Sequence, residues 1–178
     1  MQRQWLMGMI VFIFVSMLVL IFWPQDETHP LETYGLKTDD VRVLIDQLEN
    51  QEQADAIQAS ITHQEVIVYA NNQTYNIALP EDMFYISFAP YIQNTHPCYT
   101  HSLTGCQGEL VNQMIDIDIY DDTGNLLESK QLSTGQDGFI GLYLNKGQSY
   151  RLEVSMNGLQ ASFTTRPDQT CYTEVKLT

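Results

Sequence analysis

Gln113-Met114-Ile115-Asp116-Ile117-Asp118-Ile119-Tyr120 alternates apolar and acidic side chains with a period of two. A chain with that pattern keeps one face dry and one face wet only as a half-buried strand. The same reading extends in both directions. Downstream, strands are predicted at 126–132, 138–144, 149–156, 159–165 and 170–177, separated by turn signals at Asp121-Asp122-Thr123-Gly124-Asn125, Asn145-Lys146-Gly147 and Met156-Asn157-Gly158. Upstream, Met83 to Pro90 is almost wholly apolar, as expected for a strand covered on both faces. Residues 57–62, 65–70 and 74–79 alternate, with Asn71-Asn72 as a hairpin turn. The period changes to helical over 38–50, where Val41, Leu44, Ile45 and Leu48 fall on one face and Thr38 is the expected N-cap.

These elements define a mainly β (α+β) protein. A membrane helix and a short amphipathic helix precede an antiparallel β-sheet that leads into a small β-sandwich. The Asp121-x-x-Gly124 turn, Asp137-Gly138-Phe139-Ile140 and the strand Gly147-x-x-Tyr150-x-Leu152-x-Val154 resemble transthyretin-like or immunoglobulin-like sandwiches. The expected division is a signal-anchor over 1–24, a tether over 25–36, a helix-plus-β region over 37–110, and a sandwich domain over 111–178 carrying Cys171.

The chain has 178 residues and a formal net charge of −14. Arg3 is the only charged residue before position 25, so the remainder carries 7 basic and 22 acidic side chains, a net charge of −15. That balance excludes nucleic acid, which needs a basic surface. Trp5 to Trp23 contains no charge and, as a helix, would span roughly 28 Å, close to the hydrocarbon thickness of a bilayer. Arg3 before it and Asp26, Glu27 and Glu32 after it place the N-terminus in the cytoplasm and the acidic body outside. The exit Ile21-Phe22-Trp23-Pro24 lacks a small-x-small cleavage site, which favours an uncleaved anchor. The alternative is a secreted or periplasmic chain released by cleavage, and both readings put the body outside the cytoplasm.

Chemistry concentrates between Asn94 and Glu109. This stretch holds two of the three cysteines, Cys98 and Cys106, and two of the four histidines, His96 and His101. Pro97, Gly105 and Gly108 mark it as a loop, and Cys171 is the remaining thiol. Three readings are open on residue types alone. Cys98 and Cys106 can form a disulfide with Cys171 free. Three thiolates and an imidazole can hold zinc, although Cys-x7-Cys is not a finger spacing. Soft copper(I) is matched by two or three thiolates with a histidine nearby. The absence of a Cys-x-x-Cys motif argues against a thiol–disulfide exchange module. Asp116, Asp118, Asp121 and Asp122 lack the framework of a calcium loop and read as a solvated sheet face followed by a turn.

The stretch from Asp82 through Pro97-Cys98-Tyr99-Thr100-His101-Ser102-Leu103-Thr104-Gly105-Cys106 to Leu110 resembles the signature of the CueP family of extracytoplasmic copper-binding proteins. Asp137-Gly138-Phe139-Ile140 and Thr170-Cys171-Tyr172-Thr173 also fit, and the resemblance covers about residues 36–178. It implies a copper(I) site made by Cys98, Cys106 and Cys171 with His96 and His101 close by. A role in copper resistance is implied as well, with copper held outside the cytoplasm and passed to a client such as a copper-dependent superoxide dismutase. The resemblance further implies a non-enzymatic protein, stoichiometric reduction of copper(II) by the thiols, and a homodimer.

Overall fold

In a computed structural model, residues 29–50 and 57–178 are described; the expected membrane segment lies outside them. Among the described residues no helix is long and apolar enough to cross a membrane. A 3-10 turn at Pro30–Tyr34 buries Leu31, and helix α1 (Val41–Asn50) follows. The cap of α1 differs from expectation. The Arg42 N–H donates to Asp40 Oδ1 at 2.9 Å, so Asp40 and not Thr38 closes the first turn. Asp40 wins because its carboxylate sits one residue before the first helical turn and faces the positive end of the helix dipole. Val41, Leu44, Ile45 and Leu48 are all buried, and each contributes about 1.5–3 kcal/mol by leaving water.

Among the described residues, eleven strands form three sheets. The first sheet has the order β3 (Gln73–Ala78), β2 (Glu65–Ala70), β1 (Ile57–Ile61), β5 (His101–Ser102). The second has the order β10 (Leu159–Thr164), β9 (Arg151–Met156), β6 (Met114–Tyr120), β7 (Leu126–Ser133). Between them lies a three-stranded sheet, β11 (Cys171–Lys176), β4 (Met83–Tyr91), β8 (Ile140–Asn145). The β2–β3 turn places Asn71 and Asn72 at φ of 50° and 59°, as a two-residue hairpin requires.

β4 organises the molecule. Its Phe84, Ile86 and Phe88 pack into a core shared with β6, β8 and β9. Met83 and Tyr85, on the opposite face, join a core built from α1 and the first sheet. A strand with two dry faces must be apolar at nearly every position, which is what its sequence shows. One expectation needs correction. The sheet is not antiparallel throughout, because β11 runs parallel to β4, with Cys171 opposite Ser87. The physical reason is that β4 needs a hydrogen-bonding neighbour on each edge as well as cover on each face, and β8 and β11 supply them. Residues 31–178 form one compact unit.

Candidate metal centre

Two pieces of backbone deliver the cysteines. Cys171 opens β11, where it is fully buried against β4. Cys106 and Cys98 come from the loop that follows β4. The loop is anchored at its start by Glu109, whose carboxylate accepts the N–H groups of Ile92, Gln93 and Asn94 at 3.2, 2.9 and 2.7 Å. Those donors hold the Glu109 carboxyl below the ordinary value, the Asn94 N–H contributing most.

The middle of the loop is pinned to β11 and β1. The Tyr99 carbonyl accepts from the N–H groups of Thr170 and Cys171 at 3.2 and 3.0 Å. Thr170 Oγ1 accepts from the His101 N–H at 3.0 Å and donates to the Ile61 carbonyl at 2.7 Å. His101 and Ser102 then add to β1 as the two-residue strand β5. Its far side is fixed by close packing. Gly108 and Gly138 touch backbone to backbone, and the Gly108 N–H donates to the Asp137 carbonyl at 2.6 Å.

The outcome is a cluster of three sulfurs, all within 4.8 Å of one another. The Cys98 and Cys106 sulfurs are 3.6 Å apart, beyond the ~2.05 Å of a disulfide, and all three thiols are free. Cys98 is half-buried, whereas Cys106 and Cys171 are buried. With Ala89 and Phe139 they make a small core of their own. The three sulfurs are chemically unequal. Hydrogen bonds from Cys171 and then Cys98, together with His101, hold the Cys106 thiol well below its ordinary value against the opposing effect of burial. Cys171 is pushed far up by its bond to Cys106, then by Cys98 and by burial. Cys98 rises to about 11, chiefly through its bond to Cys106. Of the three, Cys106 is the sulfur inclined to the anionic form, with the other two as its S–H donors.

His101 is fully buried beside this thiolate. Its Nε2–H donates to the carboxylate oxygen Glu49 Oε1 at 3.0 Å. Its ring packs on Phe139 with centroids 4.8 Å apart. Nδ1 is buried and makes no hydrogen bond. Burial lowers the His101 pKa, but Cys106 and Glu49 outweigh it and push the group up to about 9.

His101 thus stands against the trio without belonging to it. His96 is elsewhere: it is exposed, and its ring nitrogens face the carbonyls of Gln107 at 2.9 Å and Pro97 at 3.5 Å. Glu49 and Tyr85 were not marked by the sequence. The Tyr85 hydroxyl donates a short hydrogen bond to the same Glu49 oxygen. Asp121 closes the 121–125 turn, as expected of it, its carboxylate accepting from Thr123 and Asn125.

Three buried or half-buried soft donors, one already favouring its anionic form, are suited to a soft cation. Comparison with known proteins agrees. A family model described as periplasmic copper-binding protein CueP matches residues 41–176. Among solved structures the chain is similar to S.CueP, seen in a crystal structure, with 37% identity and a TM-score of 0.78. That match covers 86% of this chain and 99% of the other. No curated protein matches.

Proposed function

The chain belongs to the CueP family of periplasmic copper-binding proteins, and from that premise we propose that it binds copper(I) through the thiolates of Cys98, Cys106 and Cys171. The observation that carries the reading is the convergence of the three sulfurs within 4.8 Å from the loop and from β11. Copper(I) is soft and favours few ligands, so a trigonal set of sulfurs with no carboxylate among them suits it. Cys106 supplies the first thiolate. Binding displaces the protons of Cys98 and Cys171, so affinity falls in acid.

The protein serves copper resistance by holding the ion outside the cytoplasm, tethered to the membrane by residues 5–23, and by handing it to a client cuproenzyme such as a superoxide dismutase. Cys98, the most exposed of the three, is the sulfur a partner reaches first. His96 lies outside the trio and His101 behind Cys106. A homodimer is part of this proposal, and sedimentation of the purified protein at several concentrations tests it.

The test is an anaerobic titration of copper(I) against a chromogenic chelator, with zinc in parallel, on the wild type and Cys171→Ser. The wild type competes for one copper(I) per chain, and Cys171→Ser binds at least about tenfold more weakly. Equal affinity of the two proteins would refute the three-thiolate site, and binding of zinc alone would move the assignment to a structural site.

A second reading draws on the 3.6 Å separation of Cys98 and Cys106 and on their unequal acidity. The Cys106 thiolate can attack a partner disulfide, and Cys98 can then resolve the mixed disulfide. Two electrons and the Cys98 proton pass to the partner as the Cys98–Cys106 bond forms, and the partner's second thiolate takes its proton from water. Turnover no faster than that of free cysteine in a thiol-exchange assay removes this reading.

A further inference from the structure

The site described so far contains sulfurs and a histidine, all from the loop and β11. A further participant comes from helix α1, which lies far away in sequence. Glu49 is separated by 52 positions from His101, yet its carboxylate oxygen meets Nε2 at 3.0 Å. The contact is built. Glu49 Oε1 also accepts from the hydroxyl of Tyr85, a fully buried residue on the inner face of β4. Tyr85 in turn lies over Gly141 of β8, where any Cβ would collide with its phenol. The carboxylate keeps a solvated side, because it lines a cavity of about 250 Å³ with Arg42, Asp46, Asp137 and Tyr143. It therefore faces solvent on one side while accepting from two buried donors on the other.

A histidine ring beside a metal-binding thiolate can turn about its two side-chain torsions and present either nitrogen. Glu49 removes that freedom. With Nε2–H committed to the carboxylate and the ring face packed on Phe139, the nitrogen left over is Nδ1, which is buried and without a hydrogen bond; Phe139 clusters with the three cysteines, and the Cys106 sulfur accepts from the N–H of the adjoining Ser102 at 3.4 Å. A polar atom left in that state, at zero exposure, needs a counterpart, and an ion held by the neighbouring Cys106 sulfur would supply one.

We infer that Glu49 is a positioning residue for the copper site: it locks the His101 ring so that Nδ1 is presented to the Cys106 sulfur and its bound metal, with Tyr85 fixing Glu49 in turn. The inference rests on the proposed copper(I) site. Glu49 touches neither sulfur nor metal and acts only through His101. Outer groups of this kind typically change metal affinity by about 10–100-fold when removed.

The test is a double-mutant cycle on the full-length protein, with Glu49→Gln, His101→Ala and the double variant, read by anaerobic copper(I) competition. Tyr85→Phe provides an independent route to the same carboxylate. Glu49→Gln is expected to lower affinity about tenfold or more, Tyr85→Phe to lower it by a smaller factor, and the double variant to be no weaker than His101→Ala alone. Multiplicative losses in the double variant, or unchanged affinity in Glu49→Gln, would overturn the inference.

A second readout needs no metal. The 15N signal of His101 Nε2 in reduced wild type should carry the signature of a bond to a carboxylate and should shift in Glu49→Gln. An unchanged signal overturns the inference even where copper binding is altered. If wild type itself bound no copper(I), the proposed function would fall, and the Nε2 signal would still decide whether Glu49 holds the ring.

Discussion

Replacing Gly138 by alanine tests how the metal loop is held. Gly138 has φ of +80°, a region in which a residue with a side chain is strained by roughly 1–2 kcal/mol. An added Cβ would also lie 2.7 Å from the Gly108 carbonyl carbon and oxygen and 2.8 Å from its Cα. Every one of those atoms is backbone, so no side chain can swing away. Gly108 would have to move, and it lies two residues beyond Cys106. Gly124 provides the control. Its φ is +86°, but nothing stands within 4 Å of the added Cβ.

Gly124→Ala therefore carries only the dihedral strain, reduced by about 0.4–1 kcal/mol through the stiffer unfolded chain. Gly138→Ala carries the same strain plus overpacking of about 1–3 kcal/mol. Urea unfolding of the reduced, metal-free proteins should show Gly138→Ala less stable than Gly124→Ala by about 1–3 kcal/mol. Copper(I) affinity should fall in Gly138→Ala and stay at the wild-type level in Gly124→Ala. Equal stabilities, or equal loss of copper binding in both, would refute the claim that this backbone contact sets the loop.

The stability of the reduced, metal-free protein should be level between pH 6.5 and about 9 and should fall on either side. His101, raised from 6.5 to about 9, stabilises fully below 6.5 and loses that contribution as pH rises through 9, while Cys106, depressed below 9.0, gains over the same interval, so the two offset. Below pH 6.5 only the Cys106 contribution still changes, and it declines; above 9 the Cys98 thiol, raised to about 11, stays protonated when its unfolded counterpart ionises, and stability is lost between 9 and 11. Thermal unfolding across pH 5–11 checks this, and a single rising or falling slope through pH 6.5–9 would contradict it. Glu109→Gln weakens the acceptor shared by Ile92, Gln93 and Asn94, so amide exchange at these three residues should accelerate while that of β6 residues stays unchanged. Cys171→Ser places a hydroxyl at a site with zero exposure and should destabilise the metal-free protein by about 1–3 kcal/mol in urea unfolding, whereas Cys98→Ser, half-exposed, should unfold within about 0.5 kcal/mol of wild type.

Most strands were legible because burial is periodic in them. β6 has Ile115, Ile117 and Ile119 buried, as its alternation requires, and β4 is apolar throughout because both faces are covered. The Asn71-Asn72 and Asn157-Gly158 turns were legible because left-handed backbone favours those residues. β5 was not, since two residues carry no period; its existence depends on a pairing of His101 with Ile61 across forty positions of chain. The parallel direction of β11 was also hidden, because alternation is the same in either direction.

At the site, thiol chemistry pointed to Cys98, Cys106 and Cys171, but the two histidines of the loop were indistinguishable by spacing. Tertiary structure separates them: His101 is buried by the β1 pairing and held by Glu49, while His96 stays outside on backbone carbonyls. Glu49 itself reads in sequence as an ordinary polar position on the exposed side of an amphipathic helix. Nothing local announces that α1 packs with that side chain over β4.

The central claim is that three sulfurs of this one chain surround a single copper(I), and X-ray absorption at the copper edge of the loaded, reduced protein measures it directly. The account predicts a copper(I) edge and an inner shell of three sulfur neighbours, falling to two in Cys171→Ser. An inner shell dominated by nitrogen or oxygen in the wild type, or one unchanged by the loss of Cys171, would contradict it.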